Sequence, residues 1–313
     1  MIVYADNKKG AEKVFRFHRQ WKLENYSAFN PNLIKLAQRL YGDKPLLRNE
    51  SRAPERWSFA FYVQSAPSSQ FDVLVEYSKQ NSPMPNGILC VAGSGQQFHG
   101  QRGRLWVAEE GNIHLSISLA PGKKIDHYHA GIPVLSAVSI VQAIDAIEGL
   151  EGQAEIKWVN DVLIQGKKVA GFLAHTQSVQ NRVMTVVLGI GMNIEKTPSI
   201  KPDVFTPKTG SLREFLPSRS GITHKRILKR LMESLDKNYG LLCDGQYQKL
   251  LDFYRKRSAV IGREVQVFSD IPGKKKSIIS SGIVEKIGDH LELWLEGQYK
   301  PVREGRLVLV RKN

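Results

Sequence analysis

Two lysines, an asparagine and an aspartate fall close together in "KWVNDVLIQGKKVAGFL", residues 157–173. "KWVND", with Lys157 and Asn160, ends one expected strand, and "DVLIQGKKVAG", with Asp161 and Lys168, is an expected hairpin around Gln165-Gly166, a pair that suits a tight turn. Such a hairpin brings two cations and a carboxylate to one place, which suits an anionic, phosphate-bearing ligand. A lysine there stabilises charge growing on a phosphate or acyl oxygen. An aspartate takes the cation that accompanies a nucleotide, or orients an amine. An isolated "GKK" reads first as a solvated turn, because surface charge is the default. Asn160-Asp161 reads differently: apolar strand residues flank it, and buried polar groups need partners.

A second polar run, "GQQFHGQRGRLW" (95–106), packs glycine, glutamine, histidine and two arginines ahead of a tryptophan. As a local sequence it suits a solvated turn as well as a phosphate-holding loop. "DHYH" (126–129) offers His127 and His129 at metal-like spacing, but no further Cys or His partner is near, so a solvated loop is expected there. No Gly-x-Ser-x-Gly elbow anchors a hydrolase triad. "GIGMNI" is not a full dinucleotide fingerprint.

The elements that must position these residues follow from periodicity. "ILCVAG" (88–93), "IHLSISLA" (113–120), "AEIKWV" (154–159), "DVLIQG" (161–166), "KVAGFLAHTQ" (168–177) and "VMTVVLGIGMNI" (183–194) read as strands. One helix starts near Ser68 and runs through "FDVLVEYSKQ". A second, "IPVLSAVSIVQAIDAIEGL" (132–150), is apolar on most faces and should be buried. "THKRILKRLMESLDKNYGLL" (223–242) is amphipathic with Thr223 as N-cap, and "YQKLLDFYRKRS" (247–258) continues helically. Short strands every ~10 residues then suggest a small barrel, with Trp294 in its core. In residues 1–55, "AEKVFRFHRQW" and "PNLIKLAQRLY" predict two short helices, and "RNESRAPER" (48–56) a linker.

At 313 residues the chain is long enough for two or three domains. No apolar run approaches a membrane span, and the N-terminus lacks a secretory h-region. Cys90 and Cys243 are too few for a disulfide framework and read as small buried hydrophobes, which fits a cytoplasmic protein. Net charge is +15 and the pI about 9.7. A basic surface suits nucleic acid, an acidic protein partner or an anionic small substrate, and charge alone does not choose among them. The longest basic run, "KKK" at 274–276, follows Pro272-Gly273 and reads as a loop tip.

"KWVNDVLIQGKKVAGFL" resembles the signature of biotin–protein ligases: Lys-Trp-x-Asn-Asp, then a Lys and Ala-Gly seven to ten residues on. "RGRLWVAEEGNIHLSISL" (102–119) is similar to that family's Arg-Gly-Arg-x-Trp segment and following strand. "VVLGIGMNI" resembles its Gly-Ile-Gly-x-Asn strand, and "GSLREFL" through "YRKRSAVIGREVQVF" its link into a C-terminal barrel. The resemblance covers about residues 58–313; residues 1–55 lie outside it and show no recognisable helix-turn-helix. It implies an α+β, class II synthetase-like biotin/lipoate ligase domain with a mixed, mostly antiparallel sheet over 56–258. It also implies an SH3-like small β-barrel over 259–313, after an N-terminal extension of unknown role.

The activity so implied has two steps. Biotin and ATP, with Mg²⁺, give biotinyl-adenylate, and a lysine of a biotin carboxyl carrier domain then takes the biotin. By the same resemblance Lys168, Asp161 and Lys157 are catalytic, with Lys168 on the biotin carboxylate and acyl-phosphate oxygens. Asp161 would serve metal or orient the acceptor lysine; no direct metal motif is present. Ser68, Ser69 and Gln70 stand where the family has Ser-Thr-Asn, and would hold biotin with Gln96, His99, Gly100, Gln101 and Gly171. Trp106 would stack on adenine, with Arg102, Arg104, Asn160 and Asn193 near the adenylate. DNA binding is not expected, and a homodimer is left open.

The loop departs from its family. Gly-Arg-Gly-Arg-Arg-Gly-Arg reads here Phe98, His99, Gly100, Gln101, Arg102, Gly103, Arg104, so three of seven positions differ. Phe restricts the backbone where glycine allowed close approach. His and Gln remove two permanent cations, and each lost charge-assisted contact is worth ~1.5–3 kcal/mol. Three readings therefore stay open: a biotin ligase with a divergent loop, a relative that transfers lipoate or octanoate, and a non-catalytic basic binding protein on the same fold.

Overall fold

A computed structural model describes residues 1–26, 29, 31–81, 84–201, 204–205, 207–217, 221–270 and 276–310. The chain opens with β1 (Ile2–Ala5), α1 (Lys8–Val14), β2 (Lys22–Glu24), α2 (Pro31–Tyr41) and β3 (Leu46–Glu50). The second expected helix forms over its whole length. The first does not: Asn7 caps α1 by accepting from the Gly10 N–H at 2.8 Å, and the helix ends at Val14. "FRFHRQW" is not helical, because Phe15, Phe17 and Trp21 pack on one another and on the core. The expected linker at 48–56 is strand up to Glu50.

These first strands continue the main sheet. β1 lies between β3 and β4 (Phe59–Ala66), parallel to β4 with Ile2 opposite Phe59. The sheet thus runs unbroken across the expected 55/56 boundary. There follow α3 (Gln70–Gln80), β5 (Ile88–Gly95), β6 (Ile113–Leu119), β7 (Lys123–Lys124), α4 (Tyr128–Asp145), β8 (Ala154–Lys157), β9 (Asp161–Ile164), β10 (Lys167–Val179) and β11 (Arg182–Met192). The eleven strands take the order β2-β3-β1-β4-β5-β6-β11-β10-β9-β8, with β7 on β11. Only β1–β4 and β4–β5 pair in parallel among the described strands, so the sheet is mixed and mostly antiparallel.

Strand alternation divides the core. Ala60 and Tyr62 of β4 face one cluster, with Ala11, Val14 and the apolar α4; Phe61 and Val63 face the other, with Leu33 and Leu36 of α2 and Leu74 and Tyr77 of α3. Helices therefore cover both faces. α4 starts at Tyr128, inside the stretch expected to be a solvated loop, because His127 (φ 56°) turns the chain into the helix and stacks on Tyr247 at 5.0 Å. α5 (His224–Cys243), capped by Thr223, and α6 (Tyr247–Lys256) pack against it.

The C-terminal residues form a four-stranded antiparallel sheet, β14-β13-β12-β15, from β12 (Glu264–Phe268), β13 (Ile278–Ile287), β14 (Leu293–Leu295) and β15 (Arg306–Leu309). Trp158 ties the larger body to it, donating to the Leu291 carbonyl at 2.6 Å. Trp294 is not core: Leu293 and Leu295 point inward, so the alternate residue between them faces out under Lys286. Cys90 is buried, Cys243 half-buried, and both are free. Four of the residues in the expected loop tip, Pro272 to Lys275, lie outside the described residues. Among the described residues no helix is long and apolar enough to cross a membrane.

Candidate active site

The hairpin that carries Asp161 and Lys168 forms as its residues dictate. Gln165 (φ 49°) and Gly166 (φ 74°) both take positive φ, the requirement of a two-residue primed turn. A register irregularity between Lys168 and Ala170 then interrupts the β9–β10 ladder. The Lys168 side chain lies across Gly171, where an added Cβ would come within 3.1 Å of its ammonium. Its Nζ meets the Asp161 carboxylate at 2.6 Å. Burial alone would raise the Asp161 carboxyl, but Lys168 and Lys157 outweigh it and hold the group below the usual carboxylate range. Burial pushes the Lys157 ammonium below its usual range, with Asp161 opposing the shift.

A cavity of about 270 Å³ opens beside this cluster. Ser69, His99, Gly100, Gln101, Arg104, Trp106, Asn160, Asp161, Lys168, Gly171 and Asn193 all line it. Its remaining wall includes Phe71, Phe98, Phe172, Leu173 and Ile190, so one part is apolar and another carries the charges. A second cavity of about 490 Å³ shares His99, Gly100, Gln101, Arg104, Asn160 and Asp161 with the first and adds Lys157 and Arg102. Ser68, Gln70 and Gln96 line neither. Gln70 is buried, and both atoms of its amide lack a hydrogen-bond partner among the described residues; Gln96 is exposed.

The divergent loop is held from two sides. His99 meets the Asp72 carboxylate of α3 at 2.8 Å. Partial burial would lower its pKa, but bonds to the Gly100 carbonyl and Asp72 raise it overall. Arg102 adopts φ 57° and forms an ion pair with Asp270 just beyond β12, donating also to the Asp270 carbonyl at 2.9 Å. Phe98 covers Gly95, where a Cβ would sit 2.2 Å from the ring. Arg104 donates to the Gln101 carbonyl at 3.0 Å. Trp106 lies over Gly191, and the Lys168 ammonium stands 5.6 Å from its ring centroid.

The two asparagines act partly as braces. Asn160 donates to the Phe172 carbonyl at 2.9 Å across the hairpin, and Asn193 to the Gly210 carbonyl at 2.9 Å. The Asn193 Oδ1 has no partner among the described residues. Sequence reasoning missed four groups: Asp72, Asp270, Arg306 on the walls of both cavities, and Pro198, Ile200, Lys201, Pro207 and Thr209, which line the first. It also missed His114, whose signal was present, since His114, Ser116 and Ser118 alternate as a polar row along β6. Asp270 and Arg306 carry no local signal. Among the described residues no cluster of three His, Cys, Asp or Glu could hold a metal.

An apolar recess ending in the Asp161–Lys168 ion pair, beside an indole and next to a cavity that holds Lys157, suits an acid with an apolar body and a nucleotide. Comparison with known proteins agrees. Residues 61–193 match the model of the biotin/lipoate A/B protein ligase family. The bifunctional ligase/repressor BirA of Bacillus subtilis (strain 168) is 32% identical over 160 residues, 51% of this chain and 48% of that protein. This chain thus spans about half the length of that relative. The biotin–[acetyl-CoA-carboxylase] ligase of Mycobacterium tuberculosis is 29% identical over 239 residues, 72% of this chain and 80% of that one. A structure of the Aquifex aeolicus biotin protein ligase in complex with biotin and ATP superposes with a TM-score of 0.60 at 20% identity, over 81% of this chain and 99% of that one, a likeness of fold. Residues 61–193 thus match a biotin/lipoate A/B protein ligase domain, and beyond them the chain is similar to biotin–protein ligases.

Proposed function

We propose that the protein is an ATP-dependent biotin–protein ligase. The observation that carries this reading is the Lys168–Asp161–Lys157 cluster where the apolar recess meets the second, more polar cavity. In the first step a carboxylate oxygen of biotin attacks the α-phosphorus of ATP, and pyrophosphate leaves. Lys168 neutralises the carboxylate and the charge growing on the α-phosphate, and Lys157 and Arg104 take the phosphate side. Trp106 takes the adenine. Ser69, at the N-terminus of α3, holds the polar head of biotin with Gln101 and His99, while Phe71, Phe172 and Leu173 take its apolar chain.

In the second step the amine of an acceptor lysine attacks the acyl carbon, loses its proton, and AMP leaves. Asp161, kept ionised by its two lysines, orients that amine. Because the Lys168 ammonium already pairs with Asp161 and Lys157 adds positive charge nearby, the residues present do not make a resident metal site, and Mg²⁺ is read as arriving on the triphosphate. The acceptor is a biotin carboxyl carrier domain, and a net charge of +15 favours an acidic one. We read the protein as cytoplasmic, since both of its cysteines are free. We read residues 259–313 as an SH3-like barrel, supported by bridges from Leu293 to Val302 and from Ile261 to Val284. Residues 56–258 are the catalytic domain, and residues 1–55 extend its sheet.

The test is pyrophosphate release by the purified protein with ATP and, separately, biotin, lipoate and octanoate, since the matching family model covers both biotin and lipoate ligases. Release with biotin alone is expected; release with lipoate or octanoate but not biotin would overturn the substrate assignment. No release with any of the acids would favour the non-catalytic reading.

A further inference from the structure

His114 stands in β6 opposite Gly191 of β11 and is 2% exposed. It joins two groups. The Trp106 indole N–H donates to its Nδ1 at 3.2 Å, and its Nε2 faces the Glu109 carbonyl at 3.1 Å. An indole nitrogen only donates, and a carbonyl only accepts. The histidine must therefore be neutral, with its proton on Nε2 and a bare Nδ1. Burial provides for that by pushing its pKa down to about 4. The edge of Phe98, 5.8 Å away, holds the ring on another side.

The indole it serves has little other choice of position. A Cβ on Gly191 would come within 2.2 Å of Trp106, so the ring lies directly on glycine backbone and can be reached there by no side chain. Nothing else among the described residues hydrogen-bonds the indole N–H. Rotation of the ring is therefore opposed at one polar point, His114.

We infer that His114 is a positioning residue that sets the plane of Trp106 for an adenine base. This rests on the ligase reading. A base stacks on an indole only over the face presented to it, and that contact is worth roughly ten-fold or more in affinity. A freely rotating indole forfeits much of it; His114 also lines the first cavity, but the apolar chain of the acid is given to Phe71, Phe172 and Leu173, so the acid loses less. His114 would thus act on nucleotide binding more than on the acid.

The test compares His114→Phe, which keeps the shape but removes both bonds, with His114→Asn, whose side-chain oxygen replaces the Nδ1 acceptor. The readouts are calorimetric affinity for AMP and for biotin, and the Trp106 indole N–H resonance of ligand-free protein, assigned with Trp106→Phe. His114→Phe should move that resonance and weaken AMP about ten-fold, leaving biotin within two-fold, and His114→Asn should recover most of the loss. Equal AMP affinity in folded His114→Phe and wild type would overturn this inference alone, as would equal loss of AMP and biotin, or no recovery in His114→Asn. A wild type that binds no adenine nucleotide would remove the ligase reading and this inference together.

Discussion

Replacing Lys168 by alanine separates the stability of the site from its chemistry. The ion pair to Asp161 is short, 2.6 Å, and its side chains are only 20% and 12% exposed. Removing one partner of a buried pair costs about 3–5 kcal/mol, because the other charge stays buried without its counter-ion. Asp161 keeps Lys157 nearby, so the low end applies, about 3 kcal/mol on the same scale. A domain with about 5–15 kcal/mol of stability remains folded after that loss. The catalytic loss is larger in proportion: deleting one group that stabilises developing charge lowers a rate about 10²–10³-fold. Urea denaturation measures the first effect, and single-turnover pyrophosphate release with biotin and ATP the second. A further variant, Lys168→Met with Asp161→Asn, removes both charges and should regain part of the stability, since Lys157 then loses the carboxylate that favours its charge, with none of the rate. Folded Lys168→Ala protein that forms adenylate at near the wild-type rate would refute the role given to Lys168. Unchanged stability would refute the buried pair.

Three other outcomes are expected. The His114 pKa of about 4 lies below the 6.5 of an unperturbed histidine, so the unfolded chain binds the extra proton first as pH falls. Its contribution, roughly 3 kcal/mol for a gap of about 2.5 units, is fully present above pH 6.5 and is lost as pH drops through about 4; urea titrations of wild type and His114→Asn should diverge in slope over that window. Restoring arginine at positions 99 and 101 should slow adenylate release about ten-fold, by the worth of a charge-assisted contact; an unchanged off-rate would show that other groups compensate. Deleting residues 1–50 bares the β4 edge and removes Leu33, Leu36 and Leu46 from beneath it, so the fragment should aggregate, and a soluble, active 51–313 fragment would show the added strands to be dispensable.

Local signals made much of the molecule legible. The turn at Gln165-Gly166, the helix start near Ser68, the cap Thr223 and the β-branched runs of β5, β6, β10 and β11 are properties of adjacent residues, and they formed where expected. β1 and β2 were not legible. "IVYA" and "KLE" are too short to carry a pattern, and their pairing energy comes from partners far along the chain, Phe59 opposite Ile2 and Arg48 opposite Lys22. The site divides in the same way. Chemical type and spacing already pointed to Lys157, Asn160, Asp161 and Lys168, and the family resemblance to Trp106.

Sequence alone determined which groups are available and how each short segment bends. Only the tertiary structure decided whom each group meets. Arg102, in a run that reads as phosphate-binding, is held by Asp270 from beyond β12. His99 is held by Asp72, and His114 is set against Trp106 in a burial that keeps it neutral. Ion pairing, desolvation and tautomer depend on distances between remote segments, and those distances exist only once the sheet has brought the segments together.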